Sequence, residues 1–162
     1  ESDFTPDYIV GVWRGGAPVG IAIQELLKYF GVDTDHIAIR TSAYTGVNEM
    51  SDVVKVHGLH YLIENVNAGD HVLIVDDVFD SGRSVNQVIV DLEEKCRRNS
   101  PTFRIATPYY KPASNKTNRT PDYYLHETED WLVFPHELDG LSLDELLSDK
   151  PGIDAIRHRL KQ

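Results

Sequence analysis

Apolar residues fall in short runs separated by glycine-rich or polar turns, and the spacing inside each run separates strand from helix. Tyr8 to Trp13 (YIVGVW) is a β-rich run. It is followed by the Gly15-Gly16 turn and by apolar positions Ile23, Leu26, Leu27 and Phe30 up to Gly31, which reads as strand, turn and helix. His36 to Thr41 (HIAIRT) reads as a second strand. Ser42 to Gly58, polar and carrying Gly46, Asn48 and Ser51, reads as a long mobile loop, and such loops are usually functional or disordered. His71 to Val75 (HVLIV) is a continuous apolar run, the pattern of a parallel strand covered on both faces. After the turn DSGRS, Val85, Val88, Ile89, Leu92 and Cys96 recur at helical spacing. Phe103 to Tyr109 predicts another strand, Lys111 to Thr120 a polar excursion, and Trp131 to Phe134 a short apolar segment. Leu141 to Leu160 carries weak helical patterning broken by Pro151-Gly152.

Repeated strand-helix alternation predicts an α/β fold: a mainly parallel twisted sheet with helices on both faces. The length of 162 residues, 41% of them hydrophobic, allows one sizeable core, so residues 1–162 are read as a single domain. The chain opens at Glu1, without an initiator Met and just before a strand, and the expectation is that an upstream helix has been lost or trimmed. No apolar run approaches the roughly 20 residues that span a bilayer, so no membrane association is expected. The single cysteine, Cys96, excludes an internal disulfide and a multi-cysteine metal site, and points to a reducing, cytoplasmic setting. A formal net charge of -10 argues against nucleic acid as partner. It leaves room for a small phosphorylated ligand, which needs only a local cradle of backbone N–H groups.

Such a cradle is legible after the most hydrophobic strand. Asp76 and Asp77 stand at the carboxyl end of His71 to Val75, where open α/β sheets bind their ligands. Asp80-Ser81-Gly82-Arg83-Ser84 then supplies a glycine for tight approach, two hydroxyls and the N–H groups of a helix start, which can hold a phosphate dianion without lysine. The plainer reading of the acids is helix capping or turn formation, and it is strongest for Asp80. Two adjacent acids after a buried strand are costly without ligands.

The run Val72 to Ser84 (VLIVDDVFDSGRS) resembles the phosphoribosyl pyrophosphate signature of type I phosphoribosyltransferases, with Ser81 and Ser84 where the family more often has Thr. The resemblance implies that Asp76 and Asp77 bind the ribose 2- and 3-hydroxyls, directly or through Mg²⁺, and that Asp80, Ser81, Gly82, Arg83 and Ser84 wrap the 5-phosphate. It also makes Asp80 the candidate general base at purine N7. Trp13-Arg14-Gly15-Gly16 resembles the family's pyrophosphate loop, with Arg14 and the Gly15 and Gly16 backbone receiving the leaving group. Residues 42–58 correspond to a flexible lid; relatives carry Ser-Tyr near its start, and Ser42-Ala43-Tyr44 here makes Tyr44 the matched catalytic candidate.

Two further stretches are similar to xanthine-guanine and hypoxanthine-guanine members, and with them the likeness covers nearly the whole chain. Lys111-Pro112 matches the place of a lysine on purine O6. An ammonium offers donors only, so it favours an oxo over an amino group at position 6; read alone, Lys111 is a solvated surface lysine. Glu129 to Glu137 (EDWLVFPHE) resembles the base-binding hood strand, with Trp131 stacking on the purine, the Leu132 backbone at the base edge and Glu137 helping hold a second Mg²⁺. Hood elements are expected over about 111–140.

The expected activity is transfer of the 5-phosphoribosyl group from phosphoribosyl pyrophosphate to hypoxanthine, guanine or xanthine, with Mg²⁺, in a homodimer or homotetramer. Two alternatives stay open: the same chemistry on another base, and a regulatory protein that uses the site only to sense a nucleotide or phosphoribosyl pyrophosphate. A pyrophosphokinase-type site is the least supported, since the chain carries no recognisable ATP motif.

Overall fold

The computed structural model describes residues 3–44 and 53–160. Seven strands of the described residues join one sheet: β1 (Tyr8–Trp13), β2 (Asp35–Tyr44), β3 (Val53–His57), β4 (His71–Val75), β5 (Val78–Phe79), β6 (Thr102–Tyr110) and β7 (Tyr123–Glu127). The order is β3-β2-β1-β4-β6-β5, with β7 also on β6. Every pairing is parallel except β2 with β3. The described residues also form four α-helices: α1 (Gly16–Tyr29), α2 (His60–Asn65), α3 (Arg83–Cys96) and, after the last strand, α4 (Leu143–Asp149).

The continuous apolar runs of β1 and β4 serve two layers at once. Val10, Val12, Val72 and Ile74 pack with Leu62 of α2 and with Val85, Val88, Ile89 and Leu92 of α3. Their alternate neighbours Ile9, Leu73 and Val75 pack instead with Val19, Ile23 and Leu27 of α1. Period-two alternation thus sends successive residues to opposite helix layers. Each of the buried aliphatic side chains of β1, β4 and α3 named here contributes about 1.5–3 kcal/mol over an exposed one, and the partly buried Val19, Ile23 and Leu27 less.

Contacts divide the chain into two compact units, residues 1–129 and 130–162. The second holds α4, started by a capping box in which Ser142 and Glu145 exchange hydrogen bonds, and a 3-10 turn over Ile153–Arg159 behind Gly152, whose φ is +82°. No helix of the described residues is long and apolar enough to cross a membrane.

Several elements depart from the sequence reading, α2 and β5 among them. The stretch read as a loop from Ser42 begins as the end of β2 and closes with β3. An antiparallel ribbon at a sheet edge keeps one side in water, so polar residues do not forbid it. Residues 45–52 of the expected lid and the Tyr44 side chain lie outside the described residues. Strand β7 was not expected: all five of its residues are exposed, so it shows no buried face, and pairing with β6 defines it. Glu129 to Glu137, where the resemblance implies a hood strand, forms no strand, and its apolar stretch Trp131 to Phe134 has no regular secondary structure.

Candidate functional site

The chain leaves β1 through α1 on one face of the sheet and leaves β4 toward α3 on the other. The strand order therefore reverses between β1 and β4, the place where open parallel sheets form a ligand crevice at their carboxyl ends. Both turns picked out in the sequence sit there. Gly11 of β1 is in register with Val75 of β4, so Arg14-Gly15-Gly16 and Asp76-Asp77 leave neighbouring strands together. A Cβ on Gly15 would lie 1.8 Å from Asp77 Oδ2, and one on Gly16 would lie 2.2 Å from the Val75 carbonyl oxygen. Only glycines let the two turns approach this closely. Arg14 is exposed at the turn, whose Trp13–Arg14 peptide is cis.

Asp76 follows directly on the buried strand, and its carboxylate accepts from the Asp77 N–H at 3.0 Å. Burial first, then the charge of Asp77, pushes the Asp76 carboxyl well above the ordinary carboxylate range. Two half-buried acids side by side fit a hard divalent cation, which would relieve their repulsion and take its remaining ligands from substrate oxygens and water. No cluster of three or more acidic, His or Cys side chains suited to a metal occurs among the described residues. Glu137, expected at a second metal, belongs to the second unit. There its carboxylate accepts from the Phe134 N–H at 3.0 Å, a bond that folds the segment back on itself.

After Asp77, the two-residue strand β5 runs beside the end of β6, with Phe79 opposite Tyr110. The residues that follow them, Asp80 and Lys111, consequently come side by side: Lys111 Nζ lies 4.0 Å from Asp80 Oδ2, and the Lys111 N–H donates to the Phe79 carbonyl at 2.9 Å. Lys111 is buried and Asp80 exposed, so the reading of Lys111 as a solvated surface lysine is overturned by the pairing of β5 with β6. Capping is not the role of Asp80 here. The N-cap of α3 is Gly82 at φ +71°, with no side-chain cap and no acid in the first turn, which leaves the positive end of the helix to a ligand. A Cβ on Gly82 would also lie 2.6 Å from the Phe79 ring. Asp76, Asp80, Ser81, Gly82 and Ser84 line a recess of about 100 Å³.

One set of contacts went unread in the sequence. The polar excursion after β6 packs on this loop: Lys116 N–H donates to the Ser81 carbonyl at 2.9 Å, and Arg119 Nε donates to Asn86 Oδ1 of α3 at 3.1 Å. Asn115 and Thr117 are turn-forming residue types, but nothing in their order names the segment they pack against.

In the second unit Trp131 is strongly exposed. The backbone beside it is tied by side chains: Lys150, itself buried, donates to the Phe134 carbonyl while Glu137 accepts from the Phe134 N–H.

A mainly parallel sheet with an acid pair and a helix start without a side-chain cap at its switch point is an α/β arrangement suited to a phosphorylated ligand. The phosphoribosyl transferase domain matches residues 1–142, and the chain belongs to that family. Among solved structures, a purine phosphoribosyltransferase from Pyrococcus horikoshii Ot3 is 30% identical with a TM-score of 0.62, the match covering 85% of this chain and 82% of that one. A hypoxanthine phosphoribosyltransferase from Staphylococcus aureus is 20% identical with a TM-score of 0.60, covering 78% of this chain and 64% of that one. One from Trypanosoma cruzi, in complex with the product IMP, is 18% identical with a TM-score of 0.59, covering 76% and 61%. These last two share the fold, and the chain spans under two thirds of their length. No curated protein matched.

Proposed function

We propose that the protein transfers the 5-phosphoribosyl group of phosphoribosyl pyrophosphate to N9 of a 6-oxopurine, releasing pyrophosphate, as a purine-salvage enzyme. The observation that supports this best is the pair of buried Lys111 and exposed Asp80, 4.0 Å apart. A donor and an acceptor at that spacing suit the adjacent O6 and N7–H of a 6-oxopurine, and an adenine amino group would leave the ammonium unpaired. The P. horikoshii relative, named for a purine substrate, agrees with this reading.

In the reaction the C1–O bond to pyrophosphate breaks and the C1–N9 bond forms. The uncapped start of α3 with Ser81 and Ser84 holds the 5-phosphate, and Arg14 with the Gly15 and Gly16 backbone receives the pyrophosphate. Asp80 takes the proton from N7 as N9 bonds to C1, Lys111 donates to O6, and Trp131 stacks on the ring with the Leu132 backbone at its edge. Mg²⁺ held by Asp76 and Asp77 would supply neutralisation of the leaving group's charge. Glu137 is kept as a candidate for a second Mg²⁺, and Tyr44, with the lid about residues 42–58, for covering the reacting atoms. The reading includes one phosphoribosyltransferase domain over residues 1–162, a cytoplasmic setting and assembly into dimers or tetramers, which light scattering checks.

Hypoxanthine, guanine, xanthine and adenine, each supplied with phosphoribosyl pyrophosphate and Mg²⁺, test the proposal. Pyrophosphate release with one or more of the first three and little with adenine is expected. Faster turnover of adenine would refute the Lys111 assignment. Tight binding of phosphoribosyl pyrophosphate without turnover of any base would replace the enzyme by a sensor.

A further inference from the structure

Residues Asn115–Arg119 of the excursion after β6 do none of the chemistry above, yet they are tied to the phosphate loop and to α3. Asn115 organises it from within: its Oδ1 accepts from the Thr117 N–H at 2.9 Å and from Thr117 Oγ1 at 3.0 Å, and its Nδ2 donates to the Arg119 carbonyl at 2.9 Å. The turn so formed presents three groups outward. The Lys116 N–H holds the Ser81 carbonyl at 2.9 Å. Thr117 Oγ1 sits 2.9 Å from where a Cβ on Gly82 would be. Arg119 reaches along α3, with Nε on Asn86 Oδ1 at 3.1 Å and Nη2 on the Glu93 carboxylate at 3.2 Å. Asn86 and Glu93 are seven residues apart, two turns along one face of the helix, so a single guanidinium fork clamps the excursion to the helix whose start forms the cradle.

We propose that Asn115–Arg119 is a brace that holds the phosphate loop in its anion-binding shape, with Arg119 as the positioning residue; this rests on the reading that Asp80–Ser84 holds the 5-phosphate. The physical reason lies in the Ser81–Gly82 peptide. Carbonyl and N–H point to opposite sides of a trans peptide. A Ser81 carbonyl held on Lys116 therefore turns the Gly82 N–H away from the excursion. If that peptide flipped, it would offer a carbonyl dipole where the loop offers an N–H, and an anion would be repelled. Glycine at φ +71° rotates with little steric resistance. The loop's own sequence leaves the flip open, and the brace closes it.

Calorimetric titration of the full chain with ribose 5-phosphate, and separately with pyrophosphate, tests the brace. Arg119→Ala and Thr117→Val should each weaken ribose 5-phosphate by roughly tenfold, the order expected when a binding group is misplaced by a fraction of an ångström. Pyrophosphate affinity should not change. Arg119→Lys keeps the charge but cannot span Asn86 and Glu93, and should behave like the alanine variant. Restored binding in Arg119→Lys would mean that charge alone acts, and would overturn the brace. So would wild-type ribose 5-phosphate affinity in folded Arg119→Ala, or an equal loss for both ligands. Should Arg119→Ala fail to fold, Thr117→Val decides by the same criteria. Ser84→Asp, which puts a carboxylate into the cradle, should abolish ribose 5-phosphate binding. Undiminished binding there would refute the phosphate-loop reading itself, an outcome separate from failure of the brace.

Discussion

Val72–Ser84 and Trp131–Glu137 carry the two ends of the proposed reaction and are built by opposite means. The first is regular structure: a buried strand, a tight turn and a helix start, with recognition entrusted to backbone N–H groups and to carboxylates at the strand end. The second has no regular secondary structure from Trp131 to Phe134, and its Phe134 peptide groups find their partners in Glu137 and Lys150. Backbone polar groups must be satisfied in either case. Where the sheet and helix do this, the side chains are released for chemistry. In the irregular segment some charged side chains are spent on the backbone, and Trp131 stays exposed, as the base stacking proposed for it requires.

The comparison implies that damage to the first region stops every substrate, whereas damage to the second changes which base is used and how tightly. The largest effect expected is on metal removal: excess EDTA should abolish pyrophosphate release with every base, and Asp77→Ala should weaken phosphoribosyl pyrophosphate binding. Undiminished release in EDTA would detach the acid pair from metal. Next comes Asp80→Asn, which keeps the shape but cannot accept a proton. It should lower kcat by about 10²–10⁴-fold, some 3–5 kcal/mol of barrier, with phosphoribosyl pyrophosphate affinity little changed. Near-normal kcat would show that another group takes the N7 proton.

In the second region, Trp131→Ala should cost every purine about 1–3 kcal/mol of binding through lost stacking, read as a raised KM for the base and an unchanged KM for phosphoribosyl pyrophosphate. Lys150→Met removes the donor to the Phe134 carbonyl and should follow the same pattern more weakly, by about 0.5–1.5 kcal/mol. Equal effects on both KM values would erase the distinction between the regions. The smallest effect expected is on stability. Burial and the Asp77 charge hold the Asp76 carboxyl above its ordinary range, so the fold disfavours the anion. The contribution of Asp76 to the stability of the metal-free protein should be greatest below the unfolded carboxylate's pKa and fall as pH rises toward the folded value. Asp76→Asn should therefore raise the melting temperature of the metal-free protein at neutral pH while weakening phosphoribosyl pyrophosphate. A lower melting temperature would show that the Asp76 anion is stabilised rather than tolerated.

The apolar run of β4, the helical spacing through Val85, Val88, Ile89 and Leu92, and the intervening acids and glycines are all local, and local pattern is enough to place a parallel strand, a turn and a helix start. Those residues by themselves determined the β4 strand, the acid pair at its end and the start of α3. Strand β7 and the ribbon of β2 with β3 escaped because edge strands bury little and are defined by their partners. The burial of Lys111 beside Asp80 depends on the pairing of Phe79 with Tyr110, residues far apart in the chain. The grip of Arg119 on Asn86 and Glu93 depends on where the excursion returns across α3. Contacts of this kind leave no periodic trace, because each partner looks like an ordinary polar surface residue until the sheet order brings it to the other, and only the tertiary structure decided them.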